Sequence, residues 1–142
     1  MSGIGARLLC ACVLGCQLYF VVRAYSDPLK RFGFQPFAES STWSARIYRV
    51  DDSGARRDVR DGSWGYRWRD LVRERVGSPF RVHHAASGVG ATLYFLQRAL
   101  DYVADHTPAD RSTRYLEAEV SYQRNRGSPQ RTTLRSKLRE PR

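Results

Sequence analysis

The chain has 142 residues, 42% hydrophobic and 12% aromatic, with 24 basic against 14 acidic side chains and a net charge of +10. That content excludes a wholly disordered chain, and about 115 residues follow an apolar N-terminal stretch, enough for one compact domain and not two. All three cysteines (Cys10, Cys12 and Cys16) lie in that stretch, which excludes a disulfide framework or a thiolate metal site from the rest.

Residues 8–22, LLCACVLGCQLYFVV, carry no charge and are closed by Arg7 and Arg23. As a helix they cover about 22 Å, short of a hydrocarbon core of roughly 30 Å. Residues 4–25 reach that length if both arginines extend their guanidinium groups to the interfaces. Segment 1–25 is therefore expected to be a single-pass anchor in the cell membrane. Its lipid-facing side chains would be Leu8, Leu9, Val13, Leu14, Leu18, Tyr19, Phe20, Val21 and Val22, with Tyr19, Phe20 and Tyr25 where an aromatic belt would lie. Three readings compete with it. One is a cleaved secretory signal ending at Val22-Arg23-Ala24. Another is a lipoprotein signal at Val13-Leu14-Gly15-Cys16, against which stand Leu14 and the apolar run past Cys16. The third is the buried helix of a soluble protein. Flanking charge (Arg23, Lys30 and Arg31 against Arg7 and the α-amine) leans towards a cytoplasmic domain. A lone N-terminal apolar segment, however, exports the chain behind it, and the domain is expected on the extracytoplasmic side.

Residues 26–42 read as a juxtamembrane connector in which Pro28 and Pro36 block long helices. Phe32, Phe34 and Phe37, with Trp43, form an alternating aromatic edge. They could contact headgroups or a partner, although tucking into the domain's own core is the simpler fate of such side chains. With the apolar segment before it, the block Phe32-Gly33-Phe34-Gln35-Pro36-Phe37-Ala38-Glu39-Ser40-Ser41-Thr42-Trp43 resembles short bacterial proteins in which one span is followed by an aromatic-Gln-x-Phe-x-Glu-Ser-x-x-Trp pattern. Some of these occur alongside multi-span proteins that resemble the vitamin K-dependent carboxylase family. The resemblance covers about a quarter of the chain. It implies membrane association and a multi-span partner, and it carries over no activity or functional residue.

Residues 43–138 carry the pattern of an α+β domain. Residues 43–50 alternate Trp43, Ala45 and Ile47 against Ser44, Arg46 and Tyr48, as a half-buried strand does. Asp51-Asp52-Ser53-Gly54 turns the chain and residues 56–60 return as a second strand. A short helix is expected around Asp70-Leu71-Val72. From residue 87 to 105, Val89, Leu93, Leu96, Leu100 and Val103 recur at spacings of four, three, four and three, one apolar stripe of a long amphipathic helix. Residues 115–122 alternate Leu116, Ala118, Val120 and Tyr122 against Glu117, Glu119 and Ser121. A turn at 125–129 then leads to a weaker strand over 131–138. The natural assembly is an antiparallel sheet of two β-hairpins with the long helix on its apolar face, and Glu117 and Glu119 beside arginines of a neighbouring strand. Residues 139–142 read as a frayed tail.

Motifs for chemistry are sparse. His83, His84 and His106 are the only histidines, and their spacing matches no zinc motif. They remain weak metal candidates, and His83 or His84 could serve a small hydrolase. No serine sits in G-x-S-x-G, and Gly88-Val89-Gly90 lacks the strand and third glycine of a dinucleotide loop. No cofactor is expected and the chain leans away from catalysis. Of the basic residues only Lys30 and Lys137 are lysine, an imbalance that GC-rich codon usage produces. Arg124, Arg126, Arg131, Arg135 and Lys137 nonetheless form a candidate basic patch for phosphates. No nucleic-acid fold motif accompanies them, so nucleic acid is the less favoured partner. The expectation is a membrane-anchored, non-catalytic interaction protein that touches lipid headgroups or a membrane-protein partner. A soluble or secreted polyanion-binding module is the alternative. Specific role, partner identity and oligomeric state do not follow from these residues.

Overall fold

The computed structural model describes residues 3–26, 39–60, 79–107 and 110–139. They fall into two compact units, Met1–Ala38 and Glu39–Arg142. The first contains helix α1 (Gly3–Ser26). The second is α+β: β1 (Ser41–Asp51), β2 (Arg56–Asp58), β3 (His83–His84), α2 (Gly88–His106), β4 (Thr113–Arg124) and β5 (Gln130–Arg135). The aromatic edge Phe32, Phe34 and Phe37 and the short helix expected near Asp70 lie outside the described residues.

The sheet is antiparallel, in the order β2-β1-β4-β5, with β3 added to β1 at Thr42 and Trp43. Its centre is the long β1–β4 pairing, with Ala45 opposite Val120 and Ile47 opposite Ala118. Because side chains alternate between faces, this register puts Trp43, Ala45 and Ile47 on the same side as Leu116, Ala118 and Val120. Those residues form one buried cluster with Val89, Leu96, Leu100 and Val103, the stripe of α2. Trp43 is only 2% exposed. It is a core residue, and its expected role in an interaction surface gives way to burial because its strand position faces inward.

The opposite face is polar and internally paired. Glu117, whose side chain is 8% exposed, receives Arg56 at 2.7 Å and Arg135 at 2.8 Å. Arg56 also reaches Glu119 at 2.6 Å and lies over the Tyr48 ring at 4.2 Å. Arg135 comes from the neighbouring strand β5, as expected, whereas Arg56 reaches the glutamates from β2, across β1.

Two side chains from outside α2 close its ends. At the start, Gly88 holds φ 81°, a left-handed conformation that costs glycine nothing. Ser87 makes no side-chain cap. Glu39 caps the helix in its place, its carboxylate accepting from the Val89 N–H at 2.8 Å and from the Ser41 hydroxyl at 2.7 Å. A carboxylate at the positive end of the helix dipole is stabilising. At the other end Arg139 donates Nε to the Ala104 carbonyl at 2.9 Å, Nη1 to the Asp110 carbonyl at 2.6 Å, and Nη2 to the Thr107 carbonyl. A guanidinium on the last carbonyls satisfies acceptors that the helix itself leaves open. Arg139, read from the sequence as the start of a frayed tail, is instead tied into the domain.

Both clamps can be checked by thermal melting of the purified full chain. Glu39→Ala removes a cap and is expected to cost about 1–2 kcal/mol. Arg139→Ala strips three carbonyls of a charged donor and is expected to cost about 2–4 kcal/mol. At about 4–8 °C per kcal/mol for a domain of this size, the Arg139 variant melts lower than the Glu39 variant. Melting temperatures at the wild-type value for both would show that neither contact holds the helix.

Candidate membrane segment and basic surface

Helix α1 is 24 residues long, about 36 Å, and none of its apolar window is buried. Leu8, Leu9, Val13, Leu14, Leu18, Tyr19, Phe20, Val21 and Val22 are all exposed. By length and composition α1 can cross a bilayer, a test that a signal sequence also passes. Arg7 stands four residues inside the helix and Arg23 three from its end, about 6 Å and 4.5 Å from the respective termini. Both lie within reach of an interface for a side chain that extends its charged head outward.

The histidines are separated by the backbone. His83 and His84 are consecutive in β3 and point to opposite faces of it. His83 lies beside the Trp43 ring, centroids 6.5 Å apart, and its Nε2 is buried without a hydrogen-bond partner among the described residues. His106 is at the far end of α2, stacked on Tyr102 at 3.9 Å with Nδ1 against the Tyr102 carbonyl at 2.8 Å. Among the described residues no group of three His, Cys, Asp or Glu side chains stands where it could hold a metal ion.

The five residues of the basic patch do not share one environment. Arg135 binds Glu117, and Lys137 binds Asp105 at 2.6 Å. Arg124 stands 3.8 Å from Glu39 and lies over the Tyr122 ring. Arg126 and Arg131 are exposed and make no ion pair among the described residues. The fold decides which of these arginines keep an uncompensated charge.

One charged pair has no signature in the sequence. Arg49 and Asp110 meet at 3.4 Å with side chains 8% and 11% exposed. Burial works to raise the Asp110 carboxyl, but hydrogen bonds from the hydroxyls and N–H groups of Thr113 and Ser112 outweigh it and bring the group to about 2. No local pattern announces this pair, because its partners stand 61 residues apart. The arrangement is structural: it fastens the chain that enters β4 to the inner side of β1.

No known protein family, curated protein or solved structure matches the chain.

The Asp110 arrangement has a pH signature. A carboxyl held at about 2 in the fold and near 3.8 when unfolded contributes stability that is complete above the unfolded value and is lost as pH falls from about 4 towards 2. In denaturation series across that window, wild type is expected to lose stability more steeply than Asp110→Asn. Parallel curves for the two proteins would contradict the assignment.

Proposed function

We propose that the protein is a single-span membrane protein whose α+β unit acts, without catalysis, as an interaction module at the bilayer surface. We read that unit as two hairpins, β1–β2 and β4–β5, joined through β1–β4, with α2 laid over their apolar face. The observation that carries the proposal is the exposed apolar surface of α1, which runs around the helix and is interrupted by charge only near its ends. Water is a poor solvent for such a surface and hydrocarbon is a good one. The resemblance of residues 32–43 and the apolar segment before them to short single-span proteins points the same way and favours a multi-span neighbour as one partner. Anionic headgroups are the other partner class that the net charge of +10 supports.

The alternative is a secreted polyanion-binding module released by cleavage after Ala24. Arg126 and Arg131, exposed and without an ion pair among the described residues, favour it as far as charge goes. A hydrolase built on His83 or His84 has less support, since neither histidine hydrogen-bonds to a carboxylate or a hydroxyl among the described residues.

Membrane fractionation with intact-mass measurement separates these readings. The anchored protein stays in the pellet through alkaline carbonate and high salt, enters solution only with detergent, and retains residues 1–25 by mass. Release by carbonate, or a mass that lacks the N-terminal segment, would contradict the proposal.

A further inference from the structure

The globular unit has two chemically different ends. At one end the chain enters at Glu39 and β1 begins. The β4–β5 turn lies there too, since the Asn125 N–H bonds the Ser40 carbonyl at 2.8 Å and the Ser40 N–H bonds Asn125 Oδ1 at 2.8 Å. The segment before α2 also lies there, since β3 pairs with Thr42 and Trp43 and the Ala85 N–H reaches the Ser41 carbonyl at 2.8 Å. This end therefore gathers Arg81, Arg124, Arg126 and Arg131, the last paired with Ser121 near the start of β5. Its one acid among the described residues is Glu39, largely buried and already engaged by Val89 and Ser41.

The opposite end is mixed, and its acids are largely paired. It holds Asp51, Asp52 and Asp110 with the acids of the last turns of α2, Asp101 and Asp105. Arg49, Arg114 and Lys137 pair with Asp110, Asp52 and Asp105. Among the described residues, the positive charge with fewest acids beside it therefore lies where the chain enters.

Two details sharpen this polarity. Val82, next in sequence to Arg81, is 71% exposed. Arg126 occupies a left-handed position, φ 59°, directly after Asn125 at φ 46°, in a turn closed by the Gly127 N–H on the Arg124 carbonyl at 2.7 Å. Two central residues at positive φ make a type I′ turn, whose second position is normally glycine. An arginine there costs backbone energy that a glycine would not, and its side chain repays nothing within the described structure.

We propose that this entry end, with Arg81, Arg124, Arg126 and Arg131 and the exposed Val82, docks on the anionic headgroups of the bilayer that holds α1. The inference rests on the anchored reading above. Whatever its course, the chain between Ser26 and Glu39 cannot exceed about 45 Å, so the domain works at high local concentration of headgroups. Guanidinium groups suit phosphate oxygens, and an exposed apolar side chain beside Arg81 can enter the headgroup layer. A protein partner with acidic loops would need the same charge, and the test separates the two.

The experiment is limited trypsin digestion of the full chain in nanodiscs of phosphatidylcholine alone or of equal parts phosphatidylcholine and phosphatidylglycerol. Arg81 and Arg126 lie in a bend and a turn inside the proposed footprint; Arg111 lies in a bend at the opposite end and serves as the internal control. Cleavage after Arg81 and Arg126 is expected to slow in the anionic discs and recover with added salt, while cleavage after Arg111 stays constant. Arg126→Gly suits the backbone of its turn and should melt no lower than wild type. It is expected to weaken the protection read at Arg81 by about fivefold, the factor for one basic residue at an anionic surface. Equal cleavage in both discs, with the chain co-eluting with them, overturns the headgroup proposal and leaves the anchor standing. Protection in native membranes but not in anionic lipid discs also overturns it, in favour of a protein partner. A chain that never enters the discs overturns the anchor and the docking together, and co-elution reads that outcome separately.

Discussion

A helix that shows leucine and valine on every side needs something other than water around it. In α1, Ile4, Leu8, Leu9, Val13, Leu14, Leu18, Phe20, Val21 and Val22 are all exposed. Nine such side chains favour insertion by roughly 3–5 kcal/mol on a per-residue membrane scale, whereas one arginine held at the centre would cost about 3 kcal/mol. Placement decides the balance: Arg7 and Arg23 sit within about 6 Å of the helix ends, where that penalty fades. Lipid is the surrounding that best meets this constraint, and the proposed role of the globular unit is built on it.

The globular unit answers a different version of the same problem. Its apolar side chains find each other: the inward row of β1 and β4 covers one face, and the stripe of α2 covers that row. The contacts that keep the helix in register with the sheet are polar. Glu39 holds its first turn and Arg139 its last, each reaching in from outside the helix, so both ends of α2 are satisfied by distant parts of the chain. The same economy governs the charges. Glu117, Glu119, Asp52, Asp105 and Asp110 each take an arginine or lysine. Among the described residues, the excess positive charge is therefore carried by the cations that the pairing leaves out, Arg126 and Arg131 among them.

The elements that repeat locally are readable in the sequence. The four-three-four-three stripe from Val89 to Val103 gives α2 to within a residue at each end. The alternation over residues 43–50 and 115–122 gives the two central strands of an antiparallel sheet. Contacts that depend on distant residues are not readable. Nothing near Glu39 says that it caps a helix starting at Gly88, and nothing near Arg139 says that it binds the end of that helix. Trp43 is ambiguous for a related reason: an aromatic residue beside a connector looks like a contact surface until its strand partner, Tyr122, fixes which way it faces. The basic patch fails as a unit because sequence proximity groups Arg124 to Lys137 together, whereas the sheet sends Arg135 to Glu117 and Lys137 to Asp105. Arg81, forty-five residues before Arg126, is folded to the end that Arg126 occupies.

The thiols of α1 offer the most direct measurement of its surroundings. Cys12 and Cys16 flank the middle of the helix, where hydrocarbon would shield them from a reagent dissolved in water. In native membranes treated with a small maleimide, both are expected to stay unlabelled until detergent or denaturant dissolves the bilayer, and then to react fully. Rapid labelling of Cys12 and Cys16 in intact membranes would put α1 in water and contradict the account at its root.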